Sequence, residues 1–483
     1  MNMLSRRAAL KAGILIAGQL MTVPKGLYAA VNTNTSDKGG KSVVVIGAGM
    51  SGLAAARRLS SKGYDVIVVE GRDRPGGRVW TDHSLGTPVD LGAAWIHGDS
   101  SQNPLMKMAH QYGLSTQATD WEETWLFDIG YGEIEDDTYE EIQRKAESIL
   151  EQLYDRQSGA PSSHSMADAL VPIFKNLSGD PIVKRGIRWW LASQIETEYA
   201  SDFGDLSFKH WDMDEQYSGD DVVVHGGYSQ IIDRMADGLN IKYGHVVNKI
   251  SQSADGVMIV TDQGVIQCDR AVVTLPLGVL KQGRVKFEPG LTDEKITSIG
   301  RLGMGTMNKI ALRFAKPFWP EDAYRFGLFN SSTENLIEYF PMTPYSGEPV
   351  IVGLTRGRHA RSLETVKKED VVQQALTDLK FMFGSSVPNS AVESVVTSWY
   401  SDELSRGAYS HVAPGASFAD YRTLAKPLGE RIFLQERPPT RLIQEPYMAP
   451  TCPANVLQTR SWVFKPKIWA LTKRRRTIVD FQS

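Results

Sequence analysis

The chain has 483 residues, 42% of them hydrophobic, and a formal net charge of -3. That length predicts two joined domains rather than one simple core, and the balanced charge gives no footprint for nucleic acid. The two cysteines, Cys268 and Cys452, exclude a disulfide framework and a typical zinc site, so no metal is expected.

At the N-terminus, Ser5-Arg6-Arg7-Ala8-Ala9-Leu10-Lys11 precedes an apolar stretch from Ala12 to Val23, which ends near Ala29 and Ala30. Residues 1–30 therefore read as a signal peptide and are excluded from the fold. The pair Arg6-Arg7 points to twin-arginine export, which carries folded, cofactor-loaded enzymes to the periplasm. A chance pair in an ordinary signal or anchor is the alternative. Once the signal is removed, no apolar run has the length of a membrane span, and no stable membrane insertion is expected. Residues 31–41 form a polar linker.

Ser42 to Ile46 is a continuous apolar run, as in a strand buried on both faces of a parallel sheet. Ser51 to Ser61 reads as a helix and Asp65 to Val69 as the next strand, which completes one βαβ unit. Between strand and helix lies Gly47-Ala48-Gly49-Met50-Ser51-Gly52. Gly47 suits a tight turn, Gly49 lets a pyrophosphate approach the backbone, and Gly52 lets helix and strand pack closely. Ser51 lies in the first helical turn, whose free N–H groups face phosphates. Glu70 ends the second strand, where a carboxylate accepts hydrogen bonds from a ribose. These residues do not separate NAD from FAD. Further on, Gly76, Gly77 and Arg78 add a second close backbone approach and a guanidinium able to grip a pyrophosphate.

Helical periodicity dominates from Glu140 to about Ala200, with Leu150, Leu153 and Tyr154 as buried positions. Strand character returns at Asp221 to Val224 and Ala271 to Thr274, then at Lys309 to Phe314 and Val350 to Leu354 in a second sheet. The acidic stretch Asp120 to Glu141, or Glu196 and Glu198, offers carboxylates to a polycation; the alternative is a solvated helix face.

From Ser42 to about Phe433 the chain resembles the flavin amine oxidases, a family that includes monoamine oxidases, polyamine oxidases and lysine-specific histone demethylases. The resemblance rests on the glycine turn, Glu70, and Gly76-Gly77-Arg78. It implies FAD as the cofactor. It also implies an α/β fold: a Rossmann-like FAD-binding domain (42–130, 220–290 and 415–433) interleaved with an α+β substrate domain built on a mixed sheet (131–219 and 291–414). In Asp90-Leu91-Gly92-Ala93-Ala94-Trp95-Ile96-His97-Gly98 it implies that Gly92, Ala93, Ala94 and Trp95 lie along the flavin. His97 then faces the substrate, as in polyamine oxidases, unless it only satisfies local hydrogen bonds. The backbone of Val247 would hold the adenine. Lys309 matches the lysine that reaches flavin N5 through a water; its apolar strand predicts a depressed pKa. Trp399 and Tyr409 match aromatic positions near the reactive face, with core packing as the alternative.

The implied catalytic set is Lys309, His97 and Tyr409. The implied activity is oxidation of an amine, most like a polyamine: hydride transfer to flavin N5, imine hydrolysis, and reoxidation by O2 to give H2O2. An oxidase of L-amino acids or aromatic monoamines is the alternative. The expected partners are a small-molecule amine and O2; the oligomeric state stays open.

The family pattern stops after Gly429-Glu430-Arg431-Ile432-Phe433. Members continue with Gly-Glu-Ala-Thr, a Gly-Thr-Val-His-Gly-Ala loop and a helix on the flavin. Here Pro438, Pro439, Pro446, Pro450 and Pro453 come instead. Loss of one base just after Phe433 accounts for the change. Codons for Leu434 to Thr459 can be written so that the neighbouring frame reads FAGEATDSAHPGTVHGAYLSGQRAADE, and the single codon of Met448 gives the glycine of His-Gly-Ala without freedom. Residues 434–483 thus read as an out-of-frame tail, and an inactive product is the contrasting expectation.

Overall fold

A computed structural model describes residues 42–212, 217–329 and 337–434. The predicted signal, the linker, Cys452 and all but the first residue of the predicted tail lie outside the described residues. The chain is a mixed α/β fold with several sheets.

The apolar run Ser42–Ile46 is a strand whose last four residues are buried. It takes the centre of a five-stranded sheet in the order Asn240–Lys242, Asp65–Val69, Ser42–Ile46, Arg270–Val273, Ile432–Leu434. Every pairing in this sheet is parallel. Central strands buried on both faces need apolar residues at every position, which this sequence supplies. The helix Met50–Ser61 covers one face with Leu53, Ala56 and Leu59, backed by the helix Ser229–Ala236. On the other face lie Val247–Ser253, Gly256–Thr261 and Gly264–Cys268, which bury Ile250, Ile259 and Ile266 against Val44 and Ile46. Cys268 is buried and free.

The second sheet has seven strands, in the order Glu393–Val396, Met307–Arg313, Val350–Arg356, Ile337–Pro341, Arg325–Phe329, Thr124–Asp128, Gly132–Glu133. It is mixed, because Arg325–Phe329 and Thr124–Asp128 run parallel. The helix Lys368–Phe383 packs Val371, Leu376 and Leu379 against Ile310, Leu312 and Phe326. Elsewhere Leu126 and Phe329 join the core of the helices Asp136–Gln157, Met166–Asn176 and Pro181–Tyr199. Among the described residues no helix is long and apolar enough to cross a membrane.

Several boundaries differ from expectation. The first helix starts at Met50, because Gly49 keeps the extended backbone of an N-cap. The helical region starts at Asp136 and breaks twice, where Ser165 with Asp168 forms a capping box and Asp180 caps a helix that opens with Pro181. Leu150 and Leu153 are buried, whereas Tyr154 is half-buried and stacks on Trp211. Thr124–Asp128 belongs to the seven-stranded sheet and not to the parallel one, although the first expected segment of the parallel-sheet unit ran to residue 130. Asp221–Val224 joins neither large sheet. It pairs with Trp95–His97 and Thr116–Ala118 in a small sheet.

Candidate active site

The carboxyl ends of the parallel strands open into a cavity of about 790 Å³, bounded by Ile46, Gly47, Val69, Glu70 and Thr274. Such an opening is where open α/β sheets bind ligands. Its floor is the glycine turn. A Cβ on Gly52 would lie 1.8 Å from the Gly47 carbonyl oxygen, so only glycine permits this approach of helix and turn. Gly76 has φ +96° and donates its N–H to Ala48 O at 2.9 Å, which seats the second glycine segment on the first.

Glu70 is buried at the cavity wall. Its Oε2 accepts from Ala48 N at 2.7 Å and its Oε1 from Arg72 N at 2.8 Å. Arg72 makes a fork to Asp402 at 3.0 and 2.8 Å and so ties in the loop after Trp399. Arg78 donates to Ala408 O at 2.7 Å. Of the expected cofactor residues, Gly47, Gly49, Ser51, Glu70, Gly76, Gly77, Arg78, Ala93 and Val247 line the cavity, and so does Tyr409. Gly52, Gly92, Ala94, Trp95 and Trp399 do not, nor do His97 and Lys309.

Lys309 lies on Met307–Arg313 and is buried. Its ammonium donates to Asp90 O at 2.6 Å and Gly92 O at 2.8 Å, which fixes the segment that carries Ala93 along the cavity. Burial lowers its pKa to about 8, and the nearby Asp90 carboxylate opposes that drop. Asp90 is itself pushed up to about 6 by burial, against hydrogen bonds from Thr81 and the Tyr228 N–H. The Trp95 ring centre is 5.8 Å from Lys309 Nζ, and Trp95 packs on Trp121 and Phe340 at 5.8 and 5.3 Å. His97 is two residues further along the same strand, and its Nδ1 is 2.8 Å from Asp221 Oδ1. These residues form an aromatic box with one imidazole.

The two late aromatic residues part company. The Tyr409 hydroxyl contacts Met307 Sδ at 3.8 Å. Trp399 is buried, with its indole N–H on Leu91 O at 3.2 Å and its backbone N–H on Asn308 Oδ1 at 2.9 Å. It therefore braces the strand of Lys309 from behind and is not part of the cavity wall. Glu196 and Glu198 need correcting as well. Glu198 is buried and Glu196 half-buried. Glu196 accepts from Phe203 N at 2.9 Å, and burial raises its pKa against the pull of Arg356. They form neither a solvated helix face nor a lure for a polycation.

Sequence reading missed Asn308, Trp121 and Asp221. Asn308 had a signal, being a polar residue beside Lys309 in an apolar strand. Its side chain also donates to Glu364 at 2.7 Å. Among the described residues no cluster of three or more His, Cys, Asp or Glu could hold a metal ion.

Comparison with known proteins agrees with this geometry. The family model for flavin containing amine oxidoreductases matches residues 50–434. Polyamine oxidase 2 of Arabidopsis thaliana is 33% identical over 409 residues, covering 82% of this chain and 83% of that protein. Polyamine oxidase 5 of Oryza sativa subsp. japonica is 33% identical over 413 residues, covering 82% of each. Lysine-specific histone demethylase 1 homolog 2 of Arabidopsis thaliana is 34% identical over 416 residues, covering 83% of this chain and 55% of that protein. With a glycine-floored cavity, a wall carboxylate and a buried lysine beside an aromatic box, the chain belongs to the family of flavin containing amine oxidoreductases, whose cofactor is FAD.

Proposed function

We propose that the protein is a polyamine oxidase whose parallel-sheet unit is a Rossmann-like FAD-binding domain interleaved with a substrate domain. The observation that carries the reading is the aromatic box of Trp95, Trp121 and Phe340, with His97 and Lys309 beside the segment that borders the dinucleotide cavity. Gly47, Gly49, Gly76 and Gly77 would hold the pyrophosphate, Arg78 would pair with it, Glu70 would take the ribose and the Val247 backbone the adenine. Bound there, FAD would supply the redox chemistry of amine oxidation, with O2 as the final electron acceptor and H2O2 as its product. The protein's own part is to bind the amine between aromatic faces, exclude water, and hold or move a proton at Lys309 Nζ and on the His97 ring. Two relatives whose names are polyamine oxidases support that substrate class.

Peroxide release from the flavin-loaded protein is the test, with spermine, spermidine, N-acetylated polyamines, benzylamine and L-leucine compared. Turnover of the polyamines well above the other amines is expected. Preference for L-leucine or benzylamine sinks the polyamine reading.

Glu70→Ala is expected to weaken FAD binding roughly 10- to 150-fold, since a hydrogen bond to a charged group contributes about 1.5–3 kcal/mol. Titrating apoprotein with FAD, followed by flavin fluorescence, measures this. Unchanged affinity removes Glu70 from the cofactor site.

Two further readings belong to the same proposal. Residues 1–30 export the folded protein by the twin-arginine route, which a reporter fusion with Arg6 and Arg7 both replaced by lysine tests. Residues 434–483 are out of frame; support comes from the family match, which ends at residue 434.

A further inference from the structure

We propose that Asp221 is a positioning residue that fixes the tautomer in which His97 meets the amine. The inference rests on the amine-oxidase reading, in which His97 faces the substrate. In the small antiparallel sheet His97 stands directly opposite Asp221. Side chains opposite each other on neighbouring strands share a face, as do Trp95 and His97 two residues apart. Asp221 thus reaches the box from the middle strand of this sheet.

Its two oxygens have separate tasks. Oδ1 is 2.8 Å from His97 Nδ1, and Oδ2 accepts from Trp121 Nε1 at 3.1 Å. An ionised carboxylate only accepts, so the proton of this contact belongs to His97 Nδ1. In a neutral imidazole the other nitrogen, Nε2, is then the acceptor. An acceptor in an aromatic box suits a substrate that brings N–H groups, as an amine does. Through Trp121, the same carboxylate sets the angle of the box wall that packs on Trp95 at 5.8 Å and Phe340 at 6.1 Å. One carboxylate thereby couples the orientation of the polar group to that of the apolar wall.

The test uses the full chain labelled with 15N-histidine. Ring nitrogen shifts report the tautomer, and the spectrum of His97→Gln assigns the His97 signals. His97 in the unsubstituted chain is expected to carry its proton on Nδ1. Asp221→Leu is expected to move it to Nε2, and Asp221→Asn, which keeps the size and can accept or donate, to populate both. Trp121→Phe, which keeps an aromatic ring but no N–H, is expected to leave the tautomer unchanged. If Nδ1–H persists alone in both Asp221 variants, or if Trp121→Phe shifts it equally, the proposal is overturned.

A second measurement is spermine affinity from tryptophan fluorescence. Asp221→Leu is expected to weaken binding about tenfold when His97 is present and less than about twofold in a His97→Leu background. Equal losses in both backgrounds overturn action through His97. No spermine binding by the unsubstituted chain, together with the expected tautomer shifts, overturns the polyamine reading and supports the hold of Asp221 on His97.

Discussion

Restoring one base after Phe433 is expected to raise flavin content from a small fraction of sites to near one per chain, and to raise peroxide release about a hundredfold or more. The reason starts in the parallel sheet. Its last strand, Ile432–Leu434, pairs in register with Arg270–Val273, Phe433 opposite Val272 and Leu434 opposite Val273. The strand therefore points its carboxyl end toward the same opening as Ile46 and Val69. A family-type segment leaving this end would complete the cofactor site. In the restored frame that segment would read Gly-Glu-Ala-Thr, then His-Gly-Ala and a helix start. A carboxylate and a positive helix N-terminus would come next to the cavity, each with a part in holding a dinucleotide. The frame as it stands supplies Pro438, Pro439, Pro446, Pro450 and Pro453, which remove the N–H groups such a helix needs. Both forms are to be expressed and compared for flavin absorbance per protein and for peroxide from spermine. Equal flavin and equal turnover make the present tail a true C-terminus.

Much of the parallel-sheet unit was legible because its signals are local. Ser42–Ile46 and Asp65–Val69 are apolar throughout, and the glycines between them sit where backbone must approach backbone. Lys309 was legible as a lysine inside an apolar strand, and burial does lower its pKa. What escaped reading depends on distant partners. Asp221 looked like the polar edge of a strand, and its partner His97 lies 124 residues earlier. Thr124–Asp128 looked like part of an acidic stretch; its parallel neighbour Arg325–Phe329 is on the far side of the helical region. Glu196 and Glu198 carry the composition of an exposed helix. Arg356 from the second sheet and the Phe203 N–H meet the half-buried Glu196. Trp399 and Tyr409 were equal candidates in sequence. The loop between them, tied down by Arg72 and Asp402, turns Tyr409 to the cavity and Trp399 to the core.

In the protein with the base restored, Lys309→Met is expected to keep bound flavin and to lower turnover about 10²- to 10⁴-fold, the range that a positioned proton-transfer group contributes. Flavin is retained because Lys309 does not line the cavity; its ammonium holds Asp90 O and Gly92 O instead. Methionine fills similar apolar space but neither holds nor moves a proton. Stability gives an independent signature. The Lys309 pKa falls from 10.5 to about 8 on folding, so between these values the unfolded chain binds more protons than the folded one. Stability attributable to Lys309 therefore rises with pH from about 8 to 10.5, and its penalty is complete below about 8. That gap, at about 1.36 kcal/mol per pH unit, corresponds to about 3 kcal/mol. Urea unfolding at pH 7.5 and pH 10 is expected to show most of this gain in the parent protein and to lose it in Lys309→Met. Stopped-flow rates of flavin reduction by the amine and of reoxidation by O2 then locate the defect. If both rates are unchanged while the stability difference appears, Lys309 is a buried structural lysine, and the proton chemistry must rest on His97 and the residues that hold it.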